Sequence, residues 1–249
     1  MHDDSEALLR LVVAGGPAAP RRGLLDAHRG PAAAFAAGAG AWRAAGCREQ
    51  QVARLRQPDE AVLERCRTWL AQPGHHLVGC HDPDYPPLLR RTANPPLALF
   101  VAGDPGRLWH PAIAVVGSRA ATAGGLDNAR DFAGALAAAG LAIASGLAAG
   151  IDTAAHQAAL ARDGLTVAVL GTGPDVPYPR ANRDLHAWIA ATGAVVSEHP
   201  PGTGPLREHF PSRNRILAGL SLGTLVIEAA LRSGALITAR EAAEAGREV

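Results

Sequence analysis

The sequence predicts an α/β fold in which helices cover both faces of a parallel β-sheet. After residue 111, five short and uninterrupted apolar segments alternate with segments long enough for helices. Strands that are buried on both faces have this apolar character, and their alternation with helices is typical of a parallel sheet. Glycine-rich or arginine-rich turns follow several of these segments, at the carboxyl edge of the sheet, where ligands bind in such folds.

Residues 1–72 precede this pattern and predict a small helical domain. An apolar helix begins near Leu8 and ends before Gly15, and a second helix covers residues 59–70 with Asp59 as its N-cap. The region is similar to helical modules of the SAM or helix-hairpin-helix kind. Residues 73–111 are rich in proline and predict a connecting segment, with short strands at residues 75–80 and 97–102 that include an edge strand.

The third region, residues 112–249, predicts the parallel sheet itself. Its apolar segments place strands at residues 112–116, 141–144, 165–170, 194–197 and 225–227. Helices are expected at residues 124–139, from Asp152, from Asn182, and at residues 213–220 and 236–246. Because the last helix ends just before Val249, we expect the chain to begin a further strand there, in a domain that is incomplete at its C-terminal end.

Composition excludes several classes of protein. The chain carries 24 basic and 23 acidic side chains, which gives a net charge of only +1. Any attraction of a nucleic acid must therefore come from a local cluster of positive charge. Every basic residue is arginine, which excludes a Gly-Lys-Ser/Thr phosphate loop and a lysine Schiff base. An acidic start and the lack of a long apolar segment argue against a secretion signal and a membrane span. Three cysteines without a CxxC pair indicate reduced thiols in the cytoplasm.

The turn Gly117-Ser118-Arg119 follows the first strand of the parallel sheet. Backbone amides, a hydroxyl group and an arginine fork in one turn form a cradle for a phosphate group. The alternative is an ordinary tight turn with an arginine on the surface. The dinucleotide fingerprint G-x-G-x-x-G is absent here, which disfavours a nicotinamide cofactor, and we predict no cofactor.

A second turn at the same predicted edge begins with Ser145 and Gly146 and ends at Gly150. Asp152 is expected to cap the helix that follows. Asp152 and His156 stand four residues apart, and a structural cap with a packed histidine is favoured over a pair of metal ligands. We therefore predict no metal site.

Arg180, Asn182 and Arg183 follow the third strand of the parallel sheet. The two arginines are three residues apart and are spaced to reach successive phosphate groups. A solvated start of a helix has the same composition, so this segment supports a nucleic-acid site only together with the other turns.

The segment Phe210-Pro211-Ser212-Arg213-Asn214-Arg215 follows the fourth strand and a long loop rich in proline and glycine. An aromatic ring beside alternating arginines suits a base that is stacked near its own phosphate. In the alternative interpretation Phe210 fills the core and Arg215 belongs to a structural ion pair. Glu198, at the end of the fourth strand, is expected to orient the arginines of this segment by charge-assisted hydrogen bonds.

Together these motifs resemble the DprA/Smf family of DNA-processing proteins over roughly residues 82–249. The resemblance rests on the segments Tyr85-Pro86 with Leu88-Leu89, Gly117-Ser118-Arg119, Ser145-Gly146 through Asp152 with Ala155-His156, Gly171-Thr172-Gly173 with Asp175 and Tyr178-Pro179, Ser197-Glu198, Phe210-Pro211 with Arg213-Asn214-Arg215 and Gly219-Leu220-Ser221, and Glu228-Ala229 with Ser233-Gly234 and Thr238-Ala239.

The resemblance implies an extended Rossmann domain that binds single-stranded DNA and is not an enzyme. Such proteins protect incoming DNA during natural transformation and load RecA on it. The implied DNA groove involves Arg119, the segment 180–183, Phe210, Arg213 and Arg215. The family's Rossmann domain continues past the position of Val249 into a region that helps form the homodimer and the RecA-contacting surface, and its optional winged-helix module is absent from this chain.

The runner-up interpretation is an enzyme of the LOG type, a related Rossmann protein that cleaves nucleoside monophosphates at the glycosidic bond. Its glutamate belongs to the motif Pro-Gly-Gly-x-Gly-Thr-x-x-Glu. In this chain three residues separate Gly223-Thr224 from Glu228, and Ala218-Gly219-Leu220 stands in place of Pro-Gly-Gly. A shift by one residue moves the carboxylate about 100° around a helix or to the other face of a strand. A scaffold without any ligand is the third interpretation, and it leaves the clustered arginines without a function.

Overall fold

The computed structural model describes residues 3–231 and 233–249, and a single mixed sheet runs through the described part of the chain. Its strands lie in the order β1-β2-β6-β5-β4-β3-β7. They cover β1 His75–Gly79, β2 Ala98–Gly103, β3 Ala112–Gly117, β4 Ala142–Ser145, β5 Thr166–Val169, β6 Ala194–Ser197 and β7 Gly223–Ile227. This arrangement confirms the predicted α/β, Rossmann-like sheet.

The five strands from β3 onward are parallel, as the sequence predicts. Strand order reverses at β3, because β4 follows on one side whereas β7, the last of the five in the chain, lies on the other. Such a reversal opens a crevice beyond the carboxyl ends of the two strands, where ligands bind in folds of this class. The reversal therefore positions the candidate site between the loops after β3 and β7.

The proline-rich segment 73–111 contributes both of its strands to this same sheet. β2 pairs with β6 in antiparallel orientation, and β1 pairs with β2 as the edge strand. The two short strands of the prediction are thus present. The structure adds that β2 lies between β1 and β6, so the segment is part of the main sheet and of its core.

The helices lie before the sheet and between its strands. They cover α1 Asp3–Val13, α2 Ala19–His28, α3 Pro31–Ala36, α4 Gly38–Ala44, α5 Glu49–Arg56, α6 Glu60–Leu70, α7 Pro87–Arg90, α8 Ala123–Ala138, α9 Ile151–Leu160, α10 Arg183–Thr192, α11 His209–Leu220 and α12 Gly234–Glu244. Alternate residues of the strands face opposite layers, with α7, α11 and α12 on one face and α8, α9 and α10 on the other.

The N-terminal helices share a core with the sheet. Leu9 of α1 and Trp69 of α6 pack in one cluster with Phe100 of β2 and Ile189 of α10. The predicted cap is also present, because the Asp59 carboxylate accepts a hydrogen bond from the amide of Val62 at the start of α6. The first six helices therefore cover one end of the sheet.

Several helix boundaries differ by one or more residues from the sequence prediction, and two of these differences affect the candidate site. α11 begins at His209, so that the whole segment from Phe210 to Arg215 is helical and does not form a turn. Pro211 makes this start difficult to recognise in the sequence, because proline usually interrupts a helix. In the first turn of a helix, however, a proline removes no intrahelical hydrogen bond. α9 begins at Ile151 with Gly150 as its N-cap, and Gly150 has a φ of 77°, which an L side chain rarely adopts.

After α12 the chain returns to the sheet. Gly223 of β7 forms a parallel bridge with Glu248, and the amide of Thr224 donates a hydrogen bond to the Glu248 carbonyl over 2.8 Å. The further strand that the sequence predicts here is limited, among the described residues, to this isolated bridge. Among the described residues, helices are too short or too polar to cross a membrane.

Candidate nucleic-acid interface

A groove lies at the carboxyl edge of the parallel strands. It consists of two adjoining clefts of about 390 Å³ and 140 Å³, which share Arg119, Ala148, Phe210 and Arg213 in their walls. The larger cleft lies between the loops after β3 and β7, at the reversal of strand order, and the smaller one lies against the loops after β4 and β5. We call the two clefts together the edge groove.

Arg119 and two aromatic rings form the exposed wall of the edge groove. The guanidinium carbon of Arg119 lies 5.6 Å from the centre of the Phe210 ring, a distance at which a cation is attracted to the face of a ring. The ring of Tyr178 lies 5.2 Å from that of Phe210, tilted by 41°. Arg119 is exposed and Phe210 is half-buried, so one positive charge and two aromatic surfaces face solvent together.

The Gly117-Ser118-Arg119 turn is tied to the elements around it. The Ser118 carbonyl accepts a hydrogen bond from the amide of Ile151, the first residue of α9, and the Ser118 hydroxyl accepts one from the amide of Ala120. The amide of Arg119 makes no hydrogen bond within the described residues. The turn thus presents the guanidinium group and one backbone donor to solvent at the same place.

Arg213 lies beneath the groove, almost completely buried. Its Nη1 donates to the carbonyls of Gly146 and Val169, and its Nε donates to the side chain of Asn214, which in turn donates to the Gly234 carbonyl. A Cβ at position 146 would lie 2.0 Å from Nη2 of Arg213, so only glycine allows this approach. Arg213 therefore joins the ends of β4, β5 and α12, which differs from the predicted position of an arginine in a surface turn.

The turn after β4 is also closed by internal hydrogen bonds. Ser145 is buried and donates to the Val115 carbonyl, while the amides of Gly146 and Ala148 donate to the carboxylate of Asp152 over 3.1 Å and 3.2 Å. Asp152 thus accepts from the preceding turn and is not the N-cap that the sequence predicts. Burial raises the pKa of Asp152, against the opposing effect of Arg213 and of these two amides.

His156 is a packed core histidine. Its Nδ1 lies 2.6 Å from the hydroxyl of Thr166, which itself donates to the Ile143 carbonyl, so Nδ1 carries the proton and Nε2 has no partner in the described structure. Burial lowers the pKa of His156 to about 3. Both Asp152 and His156 therefore have protein partners, and the histidine is packed as expected, whereas Asp152 is not the expected cap. Groups of three or more potential metal ligands are absent from the described residues.

The segment after β5 separates into exposed and buried parts. Arg180 and Arg183 are exposed, one on each side of Asn182, and follow Tyr178 and Pro179, which line the smaller cleft. Asn182 is buried and donates to the Leu147 carbonyl and to the hydroxyl of Thr153. The two arginines therefore continue the exposed positive surface beyond the groove, whereas Asn182 connects the segment to the turn after β4.

Arg215 forms a bidentate ion pair with Glu198. From the sequence, Glu198 is expected to bind the arginines of this segment. The two nitrogen–oxygen distances are 2.8 Å and 2.6 Å, and both side chains are more than four-fifths buried. The pair joins α11 to the end of β6. This geometry matches the structural alternative for Arg215, with its guanidinium group turned to Glu198.

Two residues of the site were absent from the sequence-based list of site residues. Tyr178 extends the aromatic surface, and an aromatic residue just after the third glycine turn was the available signal. Glu228 follows β7. Its carboxylate accepts hydrogen bonds from the amide and the hydroxyl of Thr122, the N-cap residue of α8. Nothing local in the sequence indicates that contact, because 106 positions separate the two residues.

The chain is similar to several known proteins. A family model described as DNA recombination-mediator protein A matches residues 76–249. Protein Smf of Escherichia coli is 50% identical over 188 residues, which cover 75% of this chain and 50% of that protein. DNA processing protein DprA of Streptococcus pneumoniae is 45% identical over 206 residues, which cover 82% of this chain and 71% of that protein. The chain thus spans about half the length of the Smf relative.

Two solved structures resemble this chain over different shares of its length. DNA processing protein A from Streptococcus pneumoniae has a TM-score of 0.82 and 37% identity, covering 96% of this chain and 82% of that one. DNA processing protein A from Helicobacter pylori, whose structure concerns its single-stranded DNA binding mode, has a TM-score of 0.61 and 30% identity, covering 65% and 74%. The first of these also includes the N-terminal helices.

Proposed function

The chain belongs to the DNA recombination-mediator protein A family, and from this premise we propose that it binds single-stranded DNA along the edge groove. The observation that carries the proposal is the Arg119 guanidinium group over the ring of Phe210, beside Tyr178. A strand whose bases are unpaired offers both a phosphate for the arginine and a flat base for the rings. The single-stranded DNA binding of the Helicobacter pylori relative supports the choice of ligand.

We divide the predicted site residues into two roles. Four residues contact the strand directly: Gly117, Ser118, Arg119 and Phe210. Two further residues, Arg180 and Arg183, attract its next phosphates. The remaining residues hold these groups in place from below: Ser145, Gly146, Asn182, Arg213, Asn214 and Arg215. Their polar groups have protein partners, so we expect them to act on DNA through the shape of the groove.

The names of the relatives support a role in DNA processing. We propose that the protein protects incoming single strands in natural transformation and delivers them to RecA, acting in the cytoplasm as a homodimer. The free thiols of Cys47, Cys66 and Cys80 suit a reducing compartment.

We further propose that the protein is a binding protein and not a LOG-type glycosidase. Hydrolysis needs a carboxylate free to act on the attacking water. Both oxygens of Glu228 accept hydrogen bonds from Thr122, at distances from 2.6 Å to 3.0 Å. Incubation with AMP is therefore expected to release no adenine above the uncatalysed background, and release that disappears in Glu228→Gln would support the enzyme instead.

Fluorescence anisotropy with a labelled oligothymidylate of about 20 nucleotides tests the binding function. We expect tighter binding to the single strand than to a duplex of the same length, because a duplex hides its bases from Phe210. Between about 50 and 200 mM salt the logarithmic slope is expected near −2, about 0.7 for each of three arginine contacts. Equal affinity for both forms at moderate salt would contradict the proposal.

A further inference from the structure

Glu228 presents a problem of charge for a protein that binds DNA. It directly follows β7, two positions before Ala230 of the larger cleft, and its carboxylate is bonded to Thr122, three positions after Arg119. A carboxylate close to a phosphate path repels the ligand and lowers affinity. The structure must therefore gain something from a carboxylate at this position that offsets the repulsion.

Three hydrogen bonds converge on Glu228. Its Oε1 and Oε2 accept from the Thr122 amide over 2.9 Å and 3.0 Å, and Oε2 also accepts from the Thr122 hydroxyl over 2.6 Å. The same hydroxyl accepts from the amide of Gly125 and so caps α8. Charged hydrogen bonds of this kind are shorter and stronger than neutral ones. Glu228 thus fixes the point at which the turn after β3 enters α8.

The backbone of Glu228 is also unusual. Its φ is 52°, in the left-handed region, which a residue other than glycine occupies at a cost in free energy. This conformation persists where surrounding contacts determine it, and the bonds to Thr122 are such contacts. The left-handed backbone turns the carboxylate back from the end of β7 towards the neighbouring loop after β3.

The segment from Gly117 to Thr122 is consequently held at both ends. At its beginning the Ser118 carbonyl accepts from the amide of Ile151, and at its end Thr122 donates to Glu228. Arg119 lies between these two fixed points, with its guanidinium group over Phe210. A loop held at both ends loses little further entropy when its arginine binds a ligand.

We infer that Glu228 is a positioning residue for DNA binding: its carboxylate holds the loop from Gly117 to Thr122 so that Arg119 faces the strand. This inference rests on the proposed function of the edge groove. It predicts a change in DNA affinity that is opposite in sign to the change expected from charge alone. Removing a negative charge beside bound DNA tightens binding, whereas removing this carboxylate weakens it.

The test compares Glu228→Ala with Glu228→Gln and with Glu208→Ala in oligothymidylate binding. Glu208 is exposed, lies two positions before Phe210 and caps α11 without a side-chain hydrogen bond, so it reports the effect of charge alone. Glu228→Ala is expected to weaken binding about tenfold, as for the loss of one charged contact, and to reduce the salt slope by about 0.7. Glu228→Gln, which keeps an acceptor for the Thr122 amide, is expected to restore most of the affinity, and Glu208→Ala to bind equally or more tightly.

A double-mutant cycle with Arg119→Ala distinguishes positioning from general stabilisation. Arg119→Ala is expected to weaken binding about tenfold in the wild type and less than about twofold in Glu228→Ala, because the arginine is no longer held in place. Circular dichroism confirms that each variant is folded. If Glu228→Ala does not fold, Thr122→Val, with Thr122→Ser as its control, removes the shared hydroxyl and is expected to show the same coupling.

The outcomes separate this inference from the proposed function. A wild type that binds single strands, together with a Glu228→Ala variant that binds as tightly and retains the full effect of Arg119→Ala, would overturn the positioning role and leave the function standing. A wild type that fails to bind oligothymidylate at low salt would overturn the proposed function, and the inference with it.

Discussion

If the edge groove binds single-stranded DNA as proposed, Arg119 and Phe210 recognise a ligand without fixed sequence. A guanidinium group above a ring keeps its N–H donors free at the rim while its face is occupied. Phe210 is half-buried, and the ring of Tyr178 continues its aromatic surface at the groove. Every base has an aromatic face, so contacts of this type hold a strand without selecting bases.

Phe210→Ala is expected to weaken binding of single-stranded DNA by about 1–3 kcal/mol, the usual value of a stacked base. Phe132→Ala is the matched control, because Phe132 is 52% exposed on α8 and lies outside the edge groove. Anisotropy titrations of both variants measure the difference. Equal losses in the two variants would show that Phe210 does not contact the strand.

At the scale of the element, α11 connects the groove to the core. Successive residues of a helix point about 100° apart, so Phe210, Arg213 and Arg215 face three directions. Phe210 faces the groove, Arg213 reaches under the ends of β4 and β5, and Arg215 pairs with Glu198 at the end of β6. One helix thereby ties the exposed ring to three strands.

Arg215→Met is expected to lower the free energy of unfolding by about 2 kcal/mol, because it leaves the Glu198 carboxylate partly buried without its partner. Arg130→Met removes the exposed pair with Asp127, in which both side chains are more than half exposed, and is expected to cost less than about 0.5 kcal/mol. Urea unfolding of both variants provides the measurement. The expectation fails if the two variants lose the same stability.

At the scale of the whole molecule, the core contains histidines that fold in their neutral form. Burial lowers the pKa of His156 to about 3 and that of His199 to about 4. His199 stacks on His209 at a distance of 3.7 Å between ring centres. In the unfolded chain each imidazole has a pKa near 6.5, so below that pH the unfolded state binds protons that the folded state does not.

The free energy of unfolding is therefore expected to be highest above pH 6.5 and to fall as the pH decreases towards 4. By pH 5 each of the two histidines accounts for a loss of about 2 kcal/mol. Urea unfolding at pH 7.5, 6 and 5 measures this loss, and His156→Gln is expected to remove about half of it. An unfolding free energy that is the same at pH 5 and pH 7.5 would contradict the neutral buried state.

Sequence reasoning located the features that are set locally. The strands β3 to β7 appear in the sequence as uninterrupted apolar segments, because both faces of the sheet are covered. Asp59 caps α6, as predicted from its position just before a helical pattern. The ion pair of Glu198 with Arg215 was also foreseen, because both residues belong to segments at the same edge. The contacts of the predicted residues with DNA remain predictions.

The features that sequence reasoning missed depend on distant partners. Arg213 was expected at the surface because charged side chains are rarely buried, but carbonyl groups of two other elements satisfy it. Asp152 was expected as a cap, whereas a left-handed glycine moves the start of α9. The contact of Glu228 with Thr122 joins loops that only the order of strands brings together.

The position of β2 between β1 and β6 has a consequence for the order in which the protein is completed during synthesis. Gly103 of β2 pairs with Ala194 of β6, so roughly 90 residues must leave the ribosome in between, which takes roughly 5 to 20 s. Throughout this interval one edge of β2 has no partner strand, and the parts of α1 and α6 that share a cluster with α10 are incompletely covered. We therefore expect this shared core to close only after β6 and α10 have been synthesised.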